Sequence, residues 1–293
     1  MEATVGLPFG DREQVVQRLQ QGPGPEALAA PGGTENKLPP SRWTLATIRA
    51  TFAALQDYTL SGVRRWLLRR GIALRSATVQ QYSPDPEYEV KVRRLKRYLR
   101  QAARDPAHVV LVFLDEMGYS VWPEAAADWW AAAPTEPPRA DRKKSPNGLW
   151  RIAGALNVIT GQVTYIDGYI VGRAKVIELY RRLVQTYPQA QKIYVVQDNW
   201  SIHTHPDVLE ALQGYPQIKP VWLPTYAPWL NPIEKLWRWL RQDILKLHRL
   251  AGDKQELRQR VNDFLNQFVR GSSALLRYVG LLGEGQLAQT IPR

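Results

Sequence analysis

The chain has 293 residues, 44% of them hydrophobic, enough to bury a large core in one or two domains. It carries 39 Lys and Arg against 27 Asp and Glu, and the resulting net charge of +12 points to a polyanionic partner. Without cysteine it forms neither disulfides nor thiolate zinc sites, and with no apolar leader or long apolar run it is expected to be soluble and cytoplasmic, with no membrane association.

Residues 1–40 are rich in Gly and Pro and read as a weakly ordered lead segment, apart from a short helix expected around DREQVVQRLQ. From Ser41, a candidate N-cap, RWTLATIRATFAALQ carries an apolar helical stripe. A break at Asp57 to Thr59 leads into LSGVRRWLLRRG, with Gly71 as a helix stop. Two short helices joined by a turn, the second bearing Arg64, Arg65, Arg69 and Arg70, make a helix-turn-helix candidate for DNA, with IALRSATVQQY as a small wing. The competing reading is an amphipathic helix with a solvated basic face. Residues 41–107 hold 14 Lys and Arg against 5 Asp and Glu, which favours DNA.

PDPEYEVKVRRLKRYLRQAARD (84–105) is predicted to be one helix within a linker over 83–108. Beyond it the chain alternates. Strands are expected at 109–115, 149–159 and 162–170, a helix at 174–187, a strand at 192–198, a helix at 206–213, a strand at 218–223 and a helix at 231–248. Three consecutive strands followed by alternating helices and strands specify an α/β layer with a mixed sheet flanked by helices. A ribonuclease H-like fold has this order, and it would occupy 109–250, between a small all-α (winged) helix-turn-helix domain at 41–82 and a helical tail at 251–293.

Three carboxylates stand at informative positions. Asp115 ends the apolar run VVLVFL, Asp198 follows IYVVQ, and Glu234 falls in the first turn of the helix after Pro224, Pro228 and Pro232. Each has a structural alternative. The aspartates could be turn formers, and Glu234 could close a capping box with Asn231 as N-cap and Pro232 at the first helical position. Together they suit a site with two metal ions roughly 4 Å apart, where several carboxylates hold cations and orient an attacking oxygen. Glu116 should point away from Asp115 because strand side chains alternate. His203 and His205 lack the cysteine partners of a zinc site, and Trp237 and Trp239 read as packing residues.

The long segment between the first two strands holds Trp122, Trp129 and Trp130 and a basic cluster, Arg142, Lys143 and Lys144. Contact with DNA or a partner subunit is expected there, against the alternative that the tryptophans cover the sheet.

The motifs LDEMGYSVWP, QDNWSIHTHP and LPTYAPWLNPIEKLWRWL, with 35 residues between Asp198 and Glu234, carry a family likeness. Over roughly residues 41–250 the chain resembles bacterial insertion-sequence transposases of the mariner-like superfamily, the DDE group. The resemblance implies DNA cleavage at transposon ends and strand transfer into target DNA, typically at TA. It implies that Asp115, Asp198 and Glu234 form the metal-binding and catalytic triad for two Mg2+ ions, with Mn2+ substituting, and that Asn199 and His203 support the site. Double-stranded DNA, as terminal inverted repeats and target, and a homodimer holding both ends follow from it as well. Members commonly carry two helix-turn-helix units where this chain shows one, so either an N-terminally shortened copy or a second reading frame that supplies the missing part is expected. The rival reading is a catalytically idle, transposase-derived DNA-binding protein. Retention of all three acids argues against that rival, and the NPIEKLW block argues against a junction resolvase.

Overall fold

The computed structural model describes residues 12–23, 41–76, 82–128, 136, 138–142 and 147–282. The chain divides into two compact units, Met1–Gln80 and Gln81–Arg293.

In the N-terminal unit, α1 (Arg12–Gln20), α2 (Leu45–Thr51) and α3 (Leu60–Arg69) surround a small core of Val15, Ile48, Phe52, Leu55, Val63, Trp66 and Leu67. The lead segment therefore contributes to this core. Val15 is buried in it, and Trp43 donates its Nε1–H to the Leu19 carbonyl at 2.8 Å. The N-cap of α2 is Thr44, not Ser41. Thr44 and Thr47 exchange side-chain and backbone hydrogen bonds in a reciprocal capping box, which satisfies two donors that Ser41 is too far upstream to reach. Helix α3 runs as expected and stops at Gly71, whose φ of +69° suits a residue without Cβ. Residues 72–76 form no strand, and the remainder of the expected wing, 77–81, lies outside the described residues.

The second unit is built on a five-stranded sheet in the order β3-β2-β1-β4-β5. Its strands are β1 (Val109–Ser120), β2 (Leu149–Asn157), β3 (Val163–Gly168), β4 (Lys192–Gln197) and β5 (Ile218–Trp222). The first three pair antiparallel, and β4 and β5 add to β1 in parallel, which gives the mixed sheet expected. Helices α5 (Arg173–Thr186) and α6 (Pro206–Gln213) cover one face through Val176, Leu179, Tyr180, Leu183 and Val208. The other face meets α4 (Tyr88–Arg104), α7 (Ile233–Leu240), α8 (Lys254–Asn266) and α9 (Ser273–Val279).

Two expectations change here. The linker helix and the C-terminal tail are integral to this core, because Leu95, Leu99, Leu257, Val261, Leu275 and Leu276 are buried on the same sheet face as Leu236. Each such side chain contributes about 1.5–3 kcal/mol by leaving water, which ties the helices to the sheet. The helix expected over 231–248 ends as α-helix at Leu240, passes through one π-helical turn over Arg241–Leu245 and breaks at Leu247, where φ is +49°. Lys246 and Leu247 instead run alongside Glu124: Glu124 N–H bonds to the Leu245 carbonyl and Leu247 N–H to the Glu124 carbonyl.

Candidate active site

Strand β1 does not end at Asp115 but continues to Ser120, paired throughout with β2. Alternation along it sorts the side chains. Leu111, Phe113, Met117 and Tyr119 enter the core under α7, so Asp115 belongs to that face, while Val110, Val112 and Leu114 enter the core under α5, and Glu116 shares their side.

Helix α7 supplies two groups to the Asp115 face. Glu234 opens its first turn, and Trp237, one turn later, donates Nε1–H to Asp115 Oδ2 at 2.9 Å. The indole approaches the sheet closely because Gly154, opposite Asp115 in the β1–β2 register, has no side chain: a Cβ there would stand 2.7 Å from Trp237 Cη2. Trp237 is thus a packing residue that also holds a site carboxylate. Trp239 packs against Phe264, Phe268 and Tyr278. The capping box proposed for Glu234 is not formed: α7 has no side-chain cap, and the buried Asn231 Oδ1 has no hydrogen-bond partner among the described residues. The glutamate is left available.

Asp198 lies one residue past β4, accepts from the Trp200 amide at 3.0 Å and is about half exposed. Asp115, Asp198 and Glu234 line one cavity of about 480 Å³, together with Asn199, Trp200, Asn231 and the loop Leu223–Pro228. Burial pushes the Asp115 carboxyl up to about 7, and the charges of Glu234 and Asp198 add to the effect. Glu234 is raised chiefly by burial, while Arg241 and Arg238 pull the other way. Those arginines line a second groove of about 310 Å³ that shares Glu234 with the first. Among the described residues, no three His, Asp or Glu side chains are gathered tightly enough to enclose an ion.

His203 is 1% exposed, and its Nε2 lies 3.6 Å from Glu116 Oε1 and 3.7 Å from Asp198 Oδ1, both too long for hydrogen bonds. Burial lowers His203 to about 4 and raises Glu116 to about 8, disfavouring the charged form of each. Asn199 supports the loop, its Nδ2 donating to the Leu223 carbonyl at 3.3 Å and to Thr225 Oγ1 at 3.2 Å. Asp85, which no local sequence motif marks, holds the same loop from just before α4. Its Oδ2 accepts from Thr225 N at 2.8 Å and from Lys91 Nζ at 2.8 Å, and Ser83 Oγ donates to the Thr225 carbonyl. Directly after these anchors Tyr226 is held at φ +52°, a conformation costing a bulky residue about 1–3 kcal/mol. Nothing in the local sequence marks that strain.

The basic residues divide. Arg64, Arg65 and Arg69 are exposed on α3, opposite its buried Val63, Trp66 and Leu67, while Arg70 lies 3.8 Å over the Trp66 ring. Arg142 is exposed, 5.5 Å over the Trp122 ring. Lys143, Lys144, Trp129 and Trp130 lie outside the described residues.

A family profile described as DDE superfamily endonuclease matches residues 110–258, half of the chain, and takes in all three acids. The chain belongs to that family. This DDE endonuclease is 28% identical over 225 residues to the Insertion element IS630 uncharacterized 39 kDa protein of Shigella sonnei, a match spanning 75% of the chain and 63% of that relative. Among solved structures it is similar to Mos1 transposase in a pre-cleavage transpososome, at 15% identity and a TM-score of 0.58, covering 99% of this chain and 80% of that one. The Mos1 transposase paired-end complex with the left transposon end gives 14% identity and a TM-score of 0.56, covering 95% and 77%. The shared fold is the ribonuclease H-like one expected from the element order. Among the described residues no helix is long and apolar enough to cross a membrane.

Proposed function

We propose that this chain is an insertion-element transposase that cuts DNA at the element's ends and transfers the freed 3′ ends into target DNA. The observation that carries this reading is that Asp115, Asp198 and Glu234, from a strand, a strand end and a helix start, open on one cavity. Membership in the DDE endonucleases, the fold shared with Mos1 transposase and a net charge of +12 support it.

The donor set fits a hard divalent cation: three carboxylates and the unpartnered Asn231 oxygen, with no sulfur ligand. Asp115, Asp198 and Glu234 would hold two Mg2+ ions, or Mn2+ in their place. Bound there, the ions would neutralise charge developing on a phosphodiester and lower the pKa of attacking water. The chain's own residues do the positioning. Trp237 fixes one Asp115 oxygen, Asn199 and Asp85 hold the loop over the cavity, and Arg238 and Arg241 offer charge beside Glu234 to a phosphate chain. Exposed Arg64, Arg65 and Arg69 suit the backbone of terminal inverted repeats, and holding two ends together calls for a homodimer.

Incubating the protein with supercoiled plasmid and Mg2+ or Mn2+ tests this. Metal-dependent nicking is expected, and Asp198→Asn removes it while sparing DNA binding, because the change deletes a ligand charge but little volume. Full-rate nicking by Asp198→Asn would refute the assignment.

A further inference from the structure

Tyr226 stands apart from the other aromatic side chains of the site. Trp237 is buried, and Trp200 packs edge-on against His203 with ring centroids 5.6 Å apart. Tyr226 lines the cavity of Asp115, Asp198 and Glu234 yet is 77% exposed, and among the described residues no ring or cation covers it. Its backbone is held at φ +52° while the residues before it are pinned, Thr225 by Ser83, Asp85 and Asn199, and Leu223 N–H by the Gln197 carbonyl at 2.9 Å. A strained backbone that presents an uncovered ring at the lip of a site is the arrangement a preorganised stacking platform requires. Around it, Leu223, Pro224, Ala227 and Pro228 give the cavity apolar walls beside the acids, an environment that suits a flat, partly apolar ligand carrying a phosphate.

We infer that Tyr226 is a stacking platform for a nucleobase next to the scissile phosphodiester, so that an unpaired base settles on its ring as the phosphate reaches the three acids. This rests on the endonuclease reading above. Every base has a π-face, so the platform tolerates any sequence and registers the strand rather than reading it. The phenol hydroxyl has no part in this; the ring and its rigid presentation do.

Three variants separate the ring from the turn. Tyr226→Phe keeps the ring, Tyr226→Asn keeps a residue that accepts positive φ but removes the ring, and Asp85→Ala releases the loop. Each is assayed for Mn2+-dependent nicking of supercoiled plasmid and for quenching of a single unpaired 2-aminopurine at the end of a random-sequence duplex. Tyr226→Asn is expected to lose roughly ten- to a hundredfold in nicking and most of the quenching, as loss of one base–aromatic stack implies. Tyr226→Phe should stay within about threefold of the parent. Asp85→Ala should weaken quenching in part. Thermal melting of both Tyr226 variants should match or exceed that of the parent. If the parent nicks but Tyr226→Asn nicks and quenches as well as it does, the platform is wrong and the endonuclease reading stands. A loss shared by Phe and Asn would make the hydroxyl the active group and overturn stacking. If the parent neither nicks nor binds DNA, the endonuclease reading falls and takes the platform with it.

Discussion

Trp237 donates its indole N–H to Asp115 Oδ2 at 2.9 Å, linking helix α7 to the middle of strand β1. That bond holds the Asp115 carboxyl lower than burial and Glu234 alone would leave it. Trp237→Phe keeps most of the packing and removes the donor. It should cost about 1.5–3 kcal/mol of stability, the usual range for a hydrogen bond to a charged group. With Asp115 raised further above about 7, the rising limb of nicking against pH should move upward and the Mn2+ needed for half-activity should increase. A pH series at several Mn2+ concentrations checks this, and an unmoved limb would show that the bond does not tune the carboxylate.

Gly154→Ala tests the same contact from the other side. A methyl 2.7 Å from Trp237 Cη2 cannot be accommodated without moving the ring away from Asp115. Overpacking of this kind costs about 1–3 kcal/mol, measurable by urea denaturation. Activity should fall with it, and combining Gly154→Ala with Trp237→Phe should give less than the sum of the two losses, because both act on one bond.

Asp85 sets the acid limit of the loop beside the site. The Lys91 ammonium and the Thr225 amide hold its carboxyl down at about 2, below the ordinary 3.8. Because the folded value is the lower one, this tether is fully present above about pH 4 and is lost as pH falls toward 2. Hydrogen exchange at the Thr225 amide should stay slow down to about pH 4 after correction for intrinsic rates, then lose protection. In Asp85→Ala the same amide should exchange fast at pH 7, with nicking reduced and DNA binding unchanged.

How far such features could be read in advance depended on whether the signal was local. The strands around Asp115 and Asp198 are apolar runs of strand length, and the helix carrying Glu234 has prolines before it and strong apolar spacing after, so element order and all three acids were legible. The apolar run alone predicts that strand β1 stops at Asp115. Yet Met117 and Tyr119 continue the inward phase at every second residue, and pairing with β2 satisfies the backbone to Ser120. The contacts that shape the site were not legible, because they join distant positions. Trp237 meets Asp115, Asp85 meets Thr225, and α4, α8 and α9 join one core only once the sheet exists to receive them. The Gly154 clearance and the strain at Tyr226 are likewise properties of approach rather than of residue type.

Arg238 and Arg241 beside Glu234 give a separate check on substrate charge. Arg238→Ala should weaken plasmid binding and lower the slope of its salt dependence by about one counterion. An unchanged slope would place this arginine off the DNA path.

The most direct test of the site is diffraction at the manganese edge from crystals grown with Mn2+ and soaked with a short DNA duplex. Anomalous peaks within coordination distance of carboxylate oxygens from Asp115, Asp198 and Glu234, roughly 4 Å apart and weakened in Asp198→Asn, are the expected result. Manganese bound elsewhere, or at these positions without the participation of Asp198, would contradict the proposed catalytic centre.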